Sequence, residues 1–171
     1  GNSSITFSVV RYGNVIGSRG SIIPLFMKLK ADGKSLPITD TRMTRFWITI
    51  NEAVDFVLDS LQQMEGGELF VPKIPSMKIM DLVQAIAPDH PFHITGIRPG
   101  EKLHEEMISV GESYRTYESA DRYIIQSSLS GNFAHKQNHS KVTEGFNYRS
   151  DNNPHWLSVD ELKYRLNAKN D

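Results

Sequence analysis

The sequence has no cysteine in 171 residues. That excludes disulfides, thiolate metal sites and a cysteine nucleophile, and it makes a reducing cytoplasm the expected setting. No apolar run reaches the length of a bilayer span, so no membrane association is expected. Charge is nearly balanced, with a formal net charge of −1 and 23% charged residues. There is thus no global basic field to recruit nucleic acid. Internal repeats, a Ser-His-Asp set, a His-Glu-x-x-His helix, a Walker loop and a dinucleotide fingerprint are all absent. His135 and His139 are four apart, but no carboxylate or third ligand stands beside them, so a solvated loop is expected and no metal site. At 39% hydrophobic, residues 1–171 read as one globular domain.

The stretch that stands out is Arg11-Tyr12-Gly13-Asn14-Val15-Ile16-Gly17-Ser18-Arg19-Gly20-Ser21. The β-branched, apolar run Ile5 to Val10 precedes it and reads as a buried strand. Ile22 to Leu29 follows it and reads as a helix. Strand, Gly- and Ser-rich loop, then helix is a place where backbone N–H groups and the helix dipole favour an anion. Asn14, Ser18, Arg19 and Ser21 crowd that spot, which points to a phosphate-bearing ligand. The plain alternative is an ordinary connection whose glycines allow positive φ. A strand this apolar needs neighbours and cover, and the chain opens almost directly on it. The expectation is the back half of something larger.

Further along, Ser35 to Thr39 reads as a short edge segment limited by Pro37. Asp40 to Thr44 reads as a turn and Arg45 to Thr49 as a strand. Asn51, or alternatively Thr49, caps a helix through Met64, with an apolar stripe at Ala53, Val54, Val57, Leu58 and Leu61. Glu68 to Pro72 is a strand, Ser76 caps a helix to Ala87, and Phe92 to Ile97 is a strand. Lys102 to Ile108 reads as a charged helix with Glu105 and Glu106 solvated, and Asp121 to Gln126 as a late strand. A polar surface loop covers Ser127 to Lys141. Ser158 and Glu161 form a capping box for Val159 to Leu166.

Arginines recur in turns and at strand ends, at Arg11, Arg45 and Arg98. Guanidinium forks suit phosphate oxygens. Glu101, three residues after Arg98, offers acceptors for a ribose diol, or simply pairs with Arg98 on the surface. The residues alone read as a ligand-binding α/β piece without catalytic machinery of its own.

Six motifs in order carry a resemblance. They are Arg11 to Ser21, Leu36-Pro37-Ile38-Thr39-Asp40, Met43-Thr44-Arg45-Phe46-Trp47-Ile48, Phe70 to Ser76, Gly96 to Lys102, and Ser150-Asp151-Asn152-Asn153. Together they resemble the C-terminal half of inverting UDP-N-acetylglucosamine 4,6-dehydratases, extended short-chain dehydrogenase/reductases of the polysaccharide-biosynthesis group. The implied fold is α/β: a C-terminal substrate-binding lobe plus the last Rossmann strand, with the N-terminal Rossmann half absent. The resemblance implies a UDP-sugar as ligand and NADP as the cofactor of the full-length family. Tyr12 and Gly13 are then expected beside the nicotinamide, and Asn14 and Arg45 toward the diphosphate. Ile38 and Thr39 pass along uracil and ribose, Arg98 holds the diphosphate, and Glu101 the ribose hydroxyls.

The family's Gly-rich phosphate loop and its Tyr-x-x-x-Lys pair are not in these residues. No catalytic residue is therefore assigned, and no cofactor is expected to bind this chain alone. The expected function is substrate binding for a 4,6-dehydratase of surface-polysaccharide or pseudaminic-acid-type biosynthesis. The alternatives are a stand-alone nucleotide-sugar module or a vestigial oligomerisation domain. The expected partner is the N-terminal Rossmann half, or another copy through Ile5 to Val10.

Overall fold

The computed structural model describes residues 5–18, 21–127 and 139–167. In chain order the elements are β1 (Val9–Val10), β2 (Asn14–Val15), α1 (Ile22–Ala31), β3 (Leu36–Ile38), β4 (Thr44–Ile48) and α2 (Ile50–Gln63). Then come β5 (Leu69–Pro72), β6 (Ser76–Lys78), α3 (Ile79–Ile86), β7 (Phe92–Ile94), β8 (Glu106–Ile108) and a 3-10 turn (Val110–Arg115). Last are β9 (Thr116–Glu118), β10 (Arg122–Ile125), β11 (Ser140–Lys141), β12 (Tyr148–Arg149) and α4 (Val159–Asn167).

The largest sheet has the order β1-β5-β10-β9-β11, with β1 at its outer edge. β5 pairs parallel with β1 and antiparallel with β10. A smaller sheet runs β2-β4-β6, and the pairs β3-β7 and β8-β12 complete the mixed α/β architecture.

β4 is the wall between two cores. Side chains of a strand alternate between its faces. Trp47 therefore joins the core made by α1, α3 and α4, with Phe26, Leu36, Leu82 and Leu162. Phe46 and Ile48 point the other way, into a core with Val71, Ile108, Tyr123 and Tyr148. Arg45 shares the alternation of Trp47, which aims it at the first core's open end.

Several elements form as their local chemistry dictates. Thr49 rather than Asn51 caps α2. Its hydroxyl accepts the Glu52 N–H, and Glu52 returns a bond to the Thr49 N–H at 2.7 Å. Ser158 and Glu161 make the same reciprocal box at α4. Pro37 sits in β3, which among the described residues pairs with β7 alone.

Other expectations are corrected. Ser76 does not cap a helix. It begins β6, which pairs antiparallel with β4, and α3 starts at Ile79. Lys102 to Ile108 is not helical: β8 pairs with β12, and Met107 and Ile108 are buried. The strand after Pro91 stops at Ile94. Within Ser127 to Lys141, residues 140 and 141 form β11, and His135 lies outside the described residues.

The first run is not a buried strand. Only Val9–Val10 is regular, although Phe7 accepts the Gly67 N–H and Val9 donates to the Glu68 carbonyl. Ile5, Phe7 and Val9 are exposed, Phe7 by 73%. Of the stripe expected on α2, Ala53 is buried but the other four residues are not. The face that meets Phe70 and Val10 carries Phe56, with Ala53 and Ser60 buried alongside, whereas Val54, Val57, Leu58 and Leu61 face outward.

Candidate functional site

A cleft of about 240 Å³ opens beside β4, lined by Asn14, Ile38, Thr39, Arg45 and Glu101. These come from four separate stretches of sequence. Ser18, Ser21 and the first residues of α1 form its opposite wall. The Ser21 hydroxyl is buried and has no hydrogen-bond partner among the described residues. It also precedes a helix that has no side-chain cap. The start of α1 thus brings unpaired donors to the cleft. Arg19 and Gly20 lie outside the described residues.

Arg45 is held firmly. Its Nη1 donates to the carbonyls of Thr44 and Leu103 at 2.8 and 3.0 Å. Nη2 stands 3.9 Å from Glu101 and Nε 3.8 Å from Glu105. Glu101 receives the Thr39 hydroxyl at 3.3 Å and the Arg98 backbone N–H at 3.3 Å. The carboxylate therefore turns toward Arg45, and the Arg98 side chain does not pair with it. Arg98 is exposed and is not part of the cleft lining; it sits in the turn closed by the Glu101 N–H on the Arg98 carbonyl.

Tyr12 and Gly13 line an adjoining groove with Arg11, Asn14, Lys102 and Glu105. Asn14 belongs to both. Arg11, read above as a phosphate-type arginine, is spent within the protein. It donates to the Met107 carbonyl at 2.6 Å and forks onto Glu112 at 3.1 and 3.2 Å. Burial alone would raise the Glu112 carboxyl. The bonds from Arg11 and Ser109 outweigh it and hold the group below the usual range.

Two residues escaped the sequence reading. Glu105 is not on a helix; it is half-buried, and that burial pushes its carboxyl above the ordinary glutamate range. The Phe46 N–H, donating at 2.9 Å, and the charges of Arg45 and Lys102 oppose that rise. Ser150 is fully buried, and its hydroxyl clips the 101–106 segment to β4. It accepts the Glu105 N–H at 2.9 Å, donates to the Thr44 carbonyl at 3.1 Å and meets the Thr44 hydroxyl at 2.7 Å. The Ser-Asp-Asn-Asn motif is thus scaffold here, since Asn153 also bonds the Ile74 carbonyl and Ser76. Ser150→Ala strands these groups, with an expected cost of about 2 kcal/mol. In a thermal melt, that lowers Tm by about 4–8 °C for a chain of this size.

Residues 1–127 match the family model described as "Polysaccharide biosynthesis protein". The chain is 52% identical to the inverting UDP-N-acetylglucosamine 4,6-dehydratase of Campylobacter jejuni serotype O:2, over 98% of this chain and 53% of that protein. It is 54% identical to the enzyme of the same description from serotype O:23/36, over 95% and 51% respectively. Among solved structures, the X-ray structure of Pen from Bacillus thuringiensis matches with a TM-score of 0.84 at 33% identity, over 98% of this chain and 51% of that one. The chain spans about half the length of the curated relatives it matches. It therefore belongs to the polysaccharide biosynthesis protein family, and along nearly all its length it is similar to inverting UDP-N-acetylglucosamine 4,6-dehydratases.

Proposed function

We propose that this chain is the substrate-gripping part of a UDP-N-acetylglucosamine 4,6-dehydratase in surface-polysaccharide biosynthesis, and that it is not catalytic alone. The observation that carries the reading is the convergence of Asn14, Ile38, Thr39, Arg45 and Glu101 on one cleft against the start of α1. Ser21 and the first N–H groups of α1 meet the diphosphate, with Arg45 at the wall and Arg98 closing from the rim. Glu101 accepts the ribose hydroxyls, and Ile38 and Thr39 run along the nucleoside.

The reaction the dehydratase name implies needs a hydride carrier, NADP in this reading. These 171 residues do not fit a dinucleotide on their own. They offer Tyr12 and Gly13 but no Gly-rich phosphate loop, and none of the six tyrosines has a lysine four residues on. Cofactor, acid and base come from an N-terminal Rossmann half that these residues do not include. The exposed run Ile5 to Val9 and the outer face of α2 are the surface it covers, or that a second copy covers in its absence.

Titration calorimetry tests the reading. UDP and UDP-N-acetylglucosamine are expected to bind, and Arg98→Ala or Glu101→Ala to weaken both by about tenfold, as loss of one charge-assisted bond does. Absence of binding at millimolar ligand would overturn it.

A further inference from the structure

Asn14 reaches the cleft at one end and Glu105 at the other. With its nitrogen toward Glu105, the Asn14 amide donates at 2.7 Å to Oε1 and at 3.2 Å to Oε2. The reverse orientation would set oxygen against carboxylate oxygen. Glu105 is itself fixed by the Phe46 N–H on Oε2 and by the Ser150 clip on its backbone. Arg45 at 3.8 Å supports its charge. It lines the groove behind Asn14 and not the cleft in front.

We propose that Glu105 is a positioning residue that holds the Asn14 amide by its N–H, so that the carboxamide oxygen faces the cleft and selects a hydrogen-bond donor there. A phosphate oxygen is only an acceptor and gains nothing from that oxygen. The group against Asn14 is then a hydroxyl or amide N–H of the sugar. This amends the expectation that Asn14 faces the diphosphate, and it rests on the nucleotide-sugar reading above.

The raised carboxyl is consistent with a group kept for function. A folded-state pKa above the unfolded one gives stability that is complete in acid and lost as pH rises through the folded value. Ionising Glu105 therefore costs stability. Glu105→Gln keeps an acceptor for the Phe46 N–H but presents an N–H to Asn14. The Asn14 amide then turns over and shows its nitrogen to the cleft.

The test uses the full 171-residue chain. Side-chain amide NMR of Asn14 is followed against pH in wild type and in Glu105→Gln. The Asn14 signals are expected to move with a carboxylate titrating above the ordinary glutamate range, and to lose that movement in the variant. Calorimetry then compares UDP-N-acetylglucosamine with UDP. Glu105→Gln is expected to weaken the sugar nucleotide by about tenfold while leaving UDP within about twofold, and to leave Tm unchanged or higher.

Equal weakening of both ligands, unchanged affinity for both, or Asn14 signals indifferent to pH would each overturn the proposal. If wild type binds neither ligand but the Asn14 signals still follow Glu105, the nucleotide-sugar reading fails. The hold on the amide then stands without its ligand.

Discussion

Replacing Gly13 by alanine is expected to lower stability by about 3 kcal/mol, at the top of the range for overpacking, and to abolish ligand binding. A Cβ at Gly13 would lie 2.5 Å from the Phe46 Cβ, 2.9 Å from its carbonyl oxygen and 3.0 Å from its carbonyl carbon. Two of those atoms are backbone, so no rotamer change relieves the clash; β4 itself must move. Phe46 cannot yield easily. It is fully buried, its ring stacks tilted on Tyr148 with centroids 4.6 Å apart, and its N–H anchors Glu105. Moving β4 also displaces Arg45 on its other face.

Thermal denaturation should show a fall of about 6–12 °C, and calorimetry no saturable UDP signal. Gly33→Ala is the control. Gly33 has φ of +66° with nothing within 4 Å of a new Cβ. It should cost only about 1 kcal/mol of backbone strain and leave binding intact. A Gly13→Ala chain that melts and binds like wild type would show that the close approach between these strands is not required.

The contrast between these glycines shows what local sequence can carry. Gly33 follows a helix end directly, and the Ser158–Glu161 box is legible because capping acts over three residues. α1, α4 and the strands around Phe46, Val71 and Ile124 follow from short-range pattern. The need for Gly13 depends on a strand more than thirty residues away and leaves no local trace.

The same holds for Glu105. Glu101, Lys102, His104, Glu105 and Glu106 give a polar spacing that suits a helix face. Ser150, distant in sequence, fixes the segment as extended chain instead and leaves the Glu105 carboxylate half-buried. Ser76 has the residue type of a helix cap, but its N–H and carbonyl are engaged by His155 and Leu157. The cleft residues were legible by motif. Their mutual contacts were not: spacing left Glu101 either to a ligand or to the Arg98 side chain, whereas the fold sets it against Arg45, Thr39 and the Arg98 backbone N–H.

The second large effect concerns the outer face of α2. Val57→Lys combined with Leu61→Lys is expected to abolish association of this chain, with little change in its own stability. The helix is apolar on two sides. Phe56 packs inward on Phe70, while Val54, Val57, Leu58 and Leu61 point outward, Leu61 by 63%. Phe7 and Val9 are likewise uncovered at the edge of the main sheet. An edge strand flanked by exposed apolar side chains, together with an apolar helix face, is a surface that favours cover by another chain.

Substitution at exposed positions changes folding stability by about 0.5 kcal/mol or less, so a loss of assembly cannot be attributed to unfolding. Sedimentation of the wild-type chain at micromolar concentration should give a mass above the monomer, and the double variant a monomer with an unchanged melt. Adding a Rossmann half from a relative should compete with self-association in the wild type and have no effect on the variant. A wild-type chain that sediments as a monomer throughout would mean that this face needs no cover, and the case for a second half resting on it would be lost.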